Sequence, residues 1–534
     1  MVNPILKLDY PDPDVIRVGE IYYMVTTTMH FMPGGEILRS YDLVNWEHAA
    51  FVYDRLDSTP AQRLEQDQNI YGKGMWAASL RFHDGMFYVC FAANDTGKTY
   101  LYTAESIAGP WKKRCIEGFY HDCSLLFDEE KIYIAYGNKE IYITQLNEDL
   151  SAPLPGGLHR LAVCDTGHPG LGYEGTHFYK INQKYYLFLI HSLRDRWMRT
   201  EACFVADSID GEFVGGDVLI DDRGYCNQGV AQGGIVDTPA GDWYAVLFQD
   251  HGAVGRIPVL VPVTWDAALP VFGKDRRIPA QFKLPCKKAD EQMQPLVQCD
   301  DFKKPALSEA QEREQYGCYG LKSIWQFNHE PDLRFVKADT EQGILWLTAG
   351  KRCQNLLQAA NILTQRMYFP RCAGSVTVDA RALKVGDYAG ICALQGCYGM
   401  IAITRRSDGF YVVMRSRAAD NASLQAMPED NADGVEWEAV PVQQGIVHLK
   451  IEAEFMKMQD EARFFYAQPS AAADCQDTVH RDKDSWQQLG ITHNLYFKMD
   501  HFSGCRFGLF VYATKETGGR AGFSAFQYHI AHNA

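Results

Sequence analysis

The sequence predicts an all-β chain, with a five-bladed β-propeller over residues 1–290 followed by a β-sandwich over residues 298–534. Three observations carry this reading. Short runs of Val, Ile, Tyr, Phe and Trp alternate with polar residues between Gly, Asn, Asp and Pro turns, and no sustained amphipathic helix is found. A turn followed by an aromatic or aliphatic residue and Tyr recurs five times in the first half. The recurrence then stops near residue 290, where the pattern of short strands continues without it.

The five copies are Gly19-Glu-Ile-Tyr-Tyr23, Asp84-Gly-Met-Phe-Tyr88, Glu129-Glu-Lys-Ile-Tyr133, Asn182-Gln-Lys-Tyr-Tyr186 and Gly241-Asp-Trp-Tyr244. Their tyrosines are separated by 65, 45, 53 and 58 residues, which suits four-stranded propeller blades. If each tyrosine lies on the second strand of its blade, a position some dozen residues earlier falls at the head of the first strand, which lines the central channel. Those positions hold Asp12, Trp76, Asp122, Glu174 and Gln232, each 11 or 12 residues before its tyrosine. Five equivalent positions converge on one axial pocket. Three carboxylates, a Trp and a Gln are poorly suited to a dry core, because buried charge without partners is costly.

Between the two halves, the Lys-rich stretch from Pro279 to Pro295 reads as a connector. The second half carries strands such as Gly343-Ile-Leu-Trp-Leu-Thr, Gly374-Ser-Val-Thr-Val-Asp and Gly409-Phe-Tyr-Val-Val-Met, separated by Gly and Asp turns, and reads as one sandwich. Its longest polar interruption, Gln468 to Gln488, reads as a surface loop.

Composition narrows the partners. The chain has 46% hydrophobic and 22% charged residues, ordinary for a globular protein, and a formal charge of −15 that would repel nucleic acid and anionic lipid. No secretory leader and no stretch of about 20 apolar residues is present, so a soluble cytoplasmic protein with no nucleic-acid or membrane partner is expected. Fifteen cysteines, an odd number set mostly in strand-like runs, read as reduced thiols rather than a disulfide framework.

Paired carboxylates beside an aromatic wall suit glycosidic bond cleavage: one ionised group activates water, one protonated group donates to the leaving oxygen, and a neighbour separates their pKa values. An indole face stacks on a sugar ring, and Gln bonds its hydroxyls. Residues 1 to about 270 resemble glycoside hydrolase family 43, the five-bladed β-xylosidases and α-L-arabinofuranosidases. Asn3-Pro-Ile-Leu with Pro11-Asp-Pro-Asp14 is similar to the family's opening segment. His121-Asp-Cys-Ser-Leu-Leu-Phe-Asp128 is similar to its central Asp motif, and Glu174-Gly-Thr-His-Phe-Tyr179 to its acid motif, where Pro is usual in place of Thr176.

The resemblance implies Asp12 as general base, Glu174 as general acid and Asp122 as the carboxylate that orients the acid and raises its pKa. Asp14 competes for the role of base; Asp12, inside the Pro-Asp-Pro element, is preferred. The family inverts, which implies base and acid roughly 6.5–9.5 Å apart. Further matches are Trp76 in Gly74-Met-Trp-Ala, Phe31 and Met32 as pocket residues, and Arg256 after Gly255, whose guanidinium approaches sugar and base. His251 falls where part of the family holds a divalent cation, largely through waters, with calcium the first choice and magnesium the alternative; the competing reading is a channel His bonded to Asp or water.

The second half resembles the concanavalin-like β-sandwich appended to many xylosidases of this family. Within it, Phe502-Ser-Gly-Cys-Arg-Phe-Gly508 is similar to a segment whose leading aromatic closes the propeller pocket, though Phe502 also suits a core or interface position. The implied activity is an inverting exo-glycosidase releasing xylose from the non-reducing end of β-1,4-xylo-oligosaccharides. The rivals are an α-L-arabinofuranosidase, a bifunctional enzyme and a non-catalytic sugar-binding propeller. Related two-domain enzymes assemble as dimers or tetramers, which implies a homo-oligomer.

Two motifs are decoys. Gly170-Leu-Gly-Tyr-Glu-Gly175 satisfies GxGxxG but is followed by a strand-like run instead of a helix, and Thr96-Gly-Lys-Thr99 lacks the first Gly of a P-loop. Asn421-Ala-Ser423 matches a glycosylation sequon, which has no meaning without secretion.

Overall fold

Each repeat tyrosine lies on the second strand of a four-stranded antiparallel sheet, and the five sheets form the propeller. These strands are Ile21–Thr26, Met86–Ala93, Lys131–Asn138, Lys184–Ser192 and Trp243–Asp250. The structure is a computed structural model that describes residues 3–167, 170–282, 284, 293–307, 312, 315–417, 434–469 and 485–531. Blades 1 to 5 occupy residues 14–53, 75–116, 124–164, 174–219 and 230–272, each running from the channel outward in chain order. Most of the connector between Pro279 and Pro295, most of the Gln468 to Gln488 loop and all of Asn421–Ser423 lie outside the described residues.

The innermost strands are Asp14–Val18, Met75–His83, Ser124–Asp128, Glu174–Ile181 and Val230–Asp237, and consecutive ones lie side by side around the ring, the fifth against the first. Tight packing at the axis leaves room for few side chains. The ring is tied by one buried ion pair. Arg81 Nη1 donates to Asp14 Oδ2 at 2.7 Å, joining blades 2 and 1, while Arg81 Nε and Nη2 donate to Leu125 O (2.8 Å) and Ser124 Oγ (2.7 Å) of blade 3. The Tyr179 hydroxyl of blade 4 donates to Asp14 Oδ1 at 3.4 Å and accepts from Ile235 N of blade 5 at 3.2 Å. Four blades meet on one carboxylate and one guanidinium, and the fifth joins them through the Tyr179 hydroxyl.

From Gln326 onward the chain forms a seven-stranded and an eight-stranded sheet packed face to face. Alternating apolar residues of the two sheets, among them Val376, Val378, Leu449 and Ile451 against Ile391, Ile401, Ile403 and Leu509, fill the space between them. The same buried cluster runs on into the propeller through Tyr10, Met24, Ile257 and Leu260, so the two halves share a core. Buried polar contacts reinforce the seam: Arg366 pairs with Glu36 at 2.8 Å and donates to Asp9 O at 2.8 Å. The thirteen cysteines among the described residues are free thiols.

Removing one partner of a buried ion pair costs about 3–5 kcal/mol, because the other charge is left without compensation. Arg81→Met is therefore expected to lower the unfolding free energy by about that amount, read from urea denaturation. A loss within experimental error would show that the axial pair does not hold the blades.

Candidate active site

The face at which the inner strands begin carries the site. Asp12 and Asp122 lie two residues ahead of their strands in left-handed backbone, at φ 52° and 47°, and Gln232 adopts φ 56° within its own strand. Register shifts between Met75 and Ala78, Glu174 and His177, and Ala231 and Gly233 mark bulges in the other three inner strands. A bulge inserts a residue and re-aims its side chain, so each blade presents one group to the channel instead of to the sheet face. Strained backbone of this kind concentrates at functional positions.

Asp12, 6% exposed, accepts a hydrogen bond from Arg256 Nη1 at 2.8 Å. Burial raises its pKa against the opposing pull of Arg256, and the nearby Asp122 raises it further. Asp122 Oδ2 accepts from Gly175 N at 3.1 Å, which anchors this carboxylate on the backbone beside Glu174; burial raises its pKa as well. Glu174 Oε2 accepts from Asn138 Nδ2. His121 Nε2 stands 3.7 Å from both Asp122 Oδ1 and Glu174 Oε2. Asp122 above all lifts this imidazole to about 9, making it a cation between two acids at neutral pH. The three side chains offer ligand atoms within 4.8 Å of one another, and at 3.7 Å from each carboxylate the His121 ring bridges the two acids by charge and not by a direct hydrogen bond.

Trp76 forms one wall, with its ring 5.8 Å from His121 and 5.7 Å from Phe502. Phe502 arrives from the sandwich at φ 49°, its ring 4.4 Å from the Arg256 guanidinium and its carbonyl accepting from Arg256 Nη2 at 3.3 Å. Asp9 aligns this contact: Oδ1 accepts from Arg256 N at 2.8 Å and Oδ2 from Gly504 N at 2.7 Å. A Cβ on Gly504 would lie 2.3 Å from Val254 O, so only glycine permits this approach.

Asp14, the competitor for the base, is consumed by the axial node and also faces His177 Nε2 at 3.6 Å. The side chain of Gln232 packs on Gly175, where a Cβ would meet its amide carbon at 2.7 Å, and its backbone N donates to Glu201 Oε2 at 2.7 Å. The expectation for Phe31 and Met32 requires correction. Phe31 is sealed among Leu64, Tyr71 and Leu356 beneath the Arg506 guanidinium, and Met32 packs with Tyr23, Val25 and Ile70 while bridging Phe327. Both are core residues, because the loop they share is covered by the sandwich.

His251 also differs from its expected setting. Its ring stacks on Tyr225 at 4.2 Å and meets Phe369 edge-on at 4.6 Å, with Nε2 facing Gln249 Oε1 at 3.3 Å. Burial and the Arg223 guanidinium depress its pKa to about 3, and no carboxylate pairs with it among the described residues. His251 Nδ1 is buried without a hydrogen-bond partner among the described residues, but hard cations need several oxygen ligands and the Gln249 amide is the one protein oxygen bonded to the ring there, so the rest of a calcium or magnesium shell would be water.

Three residues at the site were not anticipated. His121 had a signal, its adjacency to Asp122. Asn138 lies at the end of a second strand. Arg199, on the third strand of blade 4, is buried, pairs with Asp250 and is depressed to about 10 by burial and by Arg256; Asp12 and Glu174 are near enough to oppose that shift.

Three acids gathered from three blades, an aromatic wall and a lid over an axial pocket define a hydrolase acting on glycosidic bonds. Residues 1–268 match the description "Glycosyl hydrolases family 43", and residues 316–529 match "Beta xylosidase C-terminal Concanavalin A-like domain". The chain belongs to glycosyl hydrolase family 43. It is 30% identical over 395 residues to a putative β-xylosidase of Xylanibacter ruminicola, covering 71% of this chain and 69% of that one. A non-reducing-end α-L-arabinofuranosidase of Bacteroides ovatus is 28% identical over 330 residues, covering 57% and 59%. Among solved structures, a bifunctional GH43-CE protein of Bacteroides eggerthii superposes with a TM-score of 0.87 at 38% identity, covering all of this chain and 64% of that one.

The His121 bridge has a pH signature. Its pKa is about 9 in the fold against about 6.5 unfolded, so its stabilisation is complete below pH 6.5 and is lost as pH rises through about 9. The wild type is expected to exceed His121→Asn in stability by about 2–3 kcal/mol at pH 6 and to lose that margin by pH 10. Denaturation of both proteins across this range is the check; a margin independent of pH would contradict the bridge.

Proposed function

We propose that the protein is an inverting exo-β-xylosidase that releases xylose from the non-reducing end of short β-1,4-xylo-oligosaccharides. The observation that carries this reading is the convergence of Asp12, Asp122 and Glu174 under the Phe502 ring, which favours a pocket one sugar deep over an open cleft. Relatives named β-xylosidase from several bacteria support the sugar.

In this reading Asp12 is the general base. Arg256 holds its Oδ1, and a pKa raised by burial makes the carboxylate a stronger proton acceptor than an exposed one. Glu174 is the general acid: Asn138 and His121 occupy the side of Oε2, and Oε1 meets the leaving oxygen. Asp122 and the protonated His121 position that carboxyl. Trp76 and Phe502 bracket the sugar ring and exclude bulk water as the C1–O bond breaks and water adds to C1 from the opposite face. No step passes through a metal ion.

An α-L-arabinofuranosidase is the second reading, favoured by the Bacteroides ovatus relative. Asp12→Asn and Glu174→Gln are expected to lower kcat on xylobiose by about 10²–10⁴-fold with folding intact. Glu174→Gln should be impaired far less on dinitrophenyl β-xyloside, whose leaving group needs no proton. Full activity of Glu174→Gln on xylobiose would overturn the assignment, and a dominant rate on nitrophenyl α-L-arabinofuranoside would replace the substrate while keeping the acids.

A further inference from the structure

The second strand of each blade ends on the face that carries the acids, so the hairpin to the third strand stands at the mouth of the pocket. In blade 4 that hairpin is residues 193–198, between Lys184–Ser192 and Arg199–Ala206, and it holds Trp197. Trp197 is 49% exposed, an uncommon state for an indole on a rigid scaffold. It is not a loose side chain. A Cβ on Gly170 would come 3.2 Å from its Cε3, so the indole lies against the segment that leads into Glu174, and the Arg199 guanidinium stands 5.6 Å from its ring centre.

Arg199 links the indole to the acids. It is 8% exposed, stacks on Phe248 at 5.3 Å, pairs with Asp250, and lies within electrostatic reach of Asp12 and Glu174. Its Nε and the Oδ1 of Asp250 have no hydrogen-bond partner among the described residues. A buried donor and acceptor left unmade are costly, and hydroxyl groups of a bound sugar satisfy both. An unsatisfied polar pair followed by an exposed indole is the order of groups that a second sugar ring meets on leaving the pocket: hydroxyl partners near the bond, then an apolar face.

We propose that Trp197, with Arg199 and Asp250, forms the leaving-group subsite, which takes the reducing-side sugar ring of a β-linked oligosaccharide, with the indole stacked on its C–H face. This inference rests on the glycosidase reading and deepens it, since it makes the enzyme selective for sugar leaving groups over small ones.

The test is the ratio of kcat/KM on xylobiose to that on β-D-xylosyl fluoride, whose leaving group is too small to reach the indole. In Trp197→Ala this ratio is expected to fall tenfold or more, and in Trp197→Phe to recover most of its wild-type value. A ratio within twofold of wild type in Trp197→Ala overturns the proposal, whether both rates persist or fall together, because a loop that merely packs affects both substrates alike. If the wild type hydrolyses neither xyloside, the exo-xylosidase reading fails separately. The same ratio is then taken between an arabinofuranosyl-xylotriose and α-L-arabinofuranosyl fluoride, with the same criteria.

Discussion

The buried pair of Arg81 and Asp14 is the constraint on which the rest of this structure depends. Chain connections join consecutive blades but not the fifth to the first, and strands that meet at an axis expose backbone groups and side-chain ends to one another. Here one guanidinium and one carboxylate join four blades directly and the fifth through the Tyr179 hydroxyl. Asp14 lies two residues after Asp12 and Ser124 two after Asp122, so the node that closes the ring also sets where two of the three acids stand. Stability and chemistry therefore share a scaffold. The charge that secures the ring is neutralised below the site, and the acids above it keep their own partners.

A second constraint joins the halves. Asp9 accepts one hydrogen bond from the backbone of Arg256 and another from the backbone of Gly504, so the residue that holds Asp12 and the strap that carries Phe502 are fixed by a single carboxylate. The continuous core beneath them makes the sandwich part of the site and not an appendage. A segment delivered by a packed domain costs less ordering entropy than a mobile loop.

Much of this was legible in the sequence, and the reason is geometric. Four-stranded blades keep a short, nearly constant path from the head of the first strand to the middle of the second, so the offset from each tyrosine found Asp12, Trp76, Asp122, Glu174 and Gln232 together. The same logic fails where length varies. Trp197 sits within a hairpin whose length varies freely, Arg199 directly follows it, and Asn138 lies at the far end of a strand. Phe31, Met32 and His251 meet a different limit: part of their surroundings comes from the sandwich, through Leu356, Phe327 and Phe369, contacts distant in sequence that no local pattern encodes.

The site's electrostatics balance acids against cations. Asp12, Asp122, Glu174 and Asp250 face Arg199, Arg256 and a protonated His121, so the negative charge of the acids is offset within the site. In the proposed reaction water attacks from the Asp12 side while Glu174 releases the leaving group on the other. The anomer first formed from xylobiose, followed by proton NMR before mutarotation, tests this. α-Xylose from the non-reducing unit is expected; β-xylose as the first product would overturn the assignment of Asp12 and Glu174.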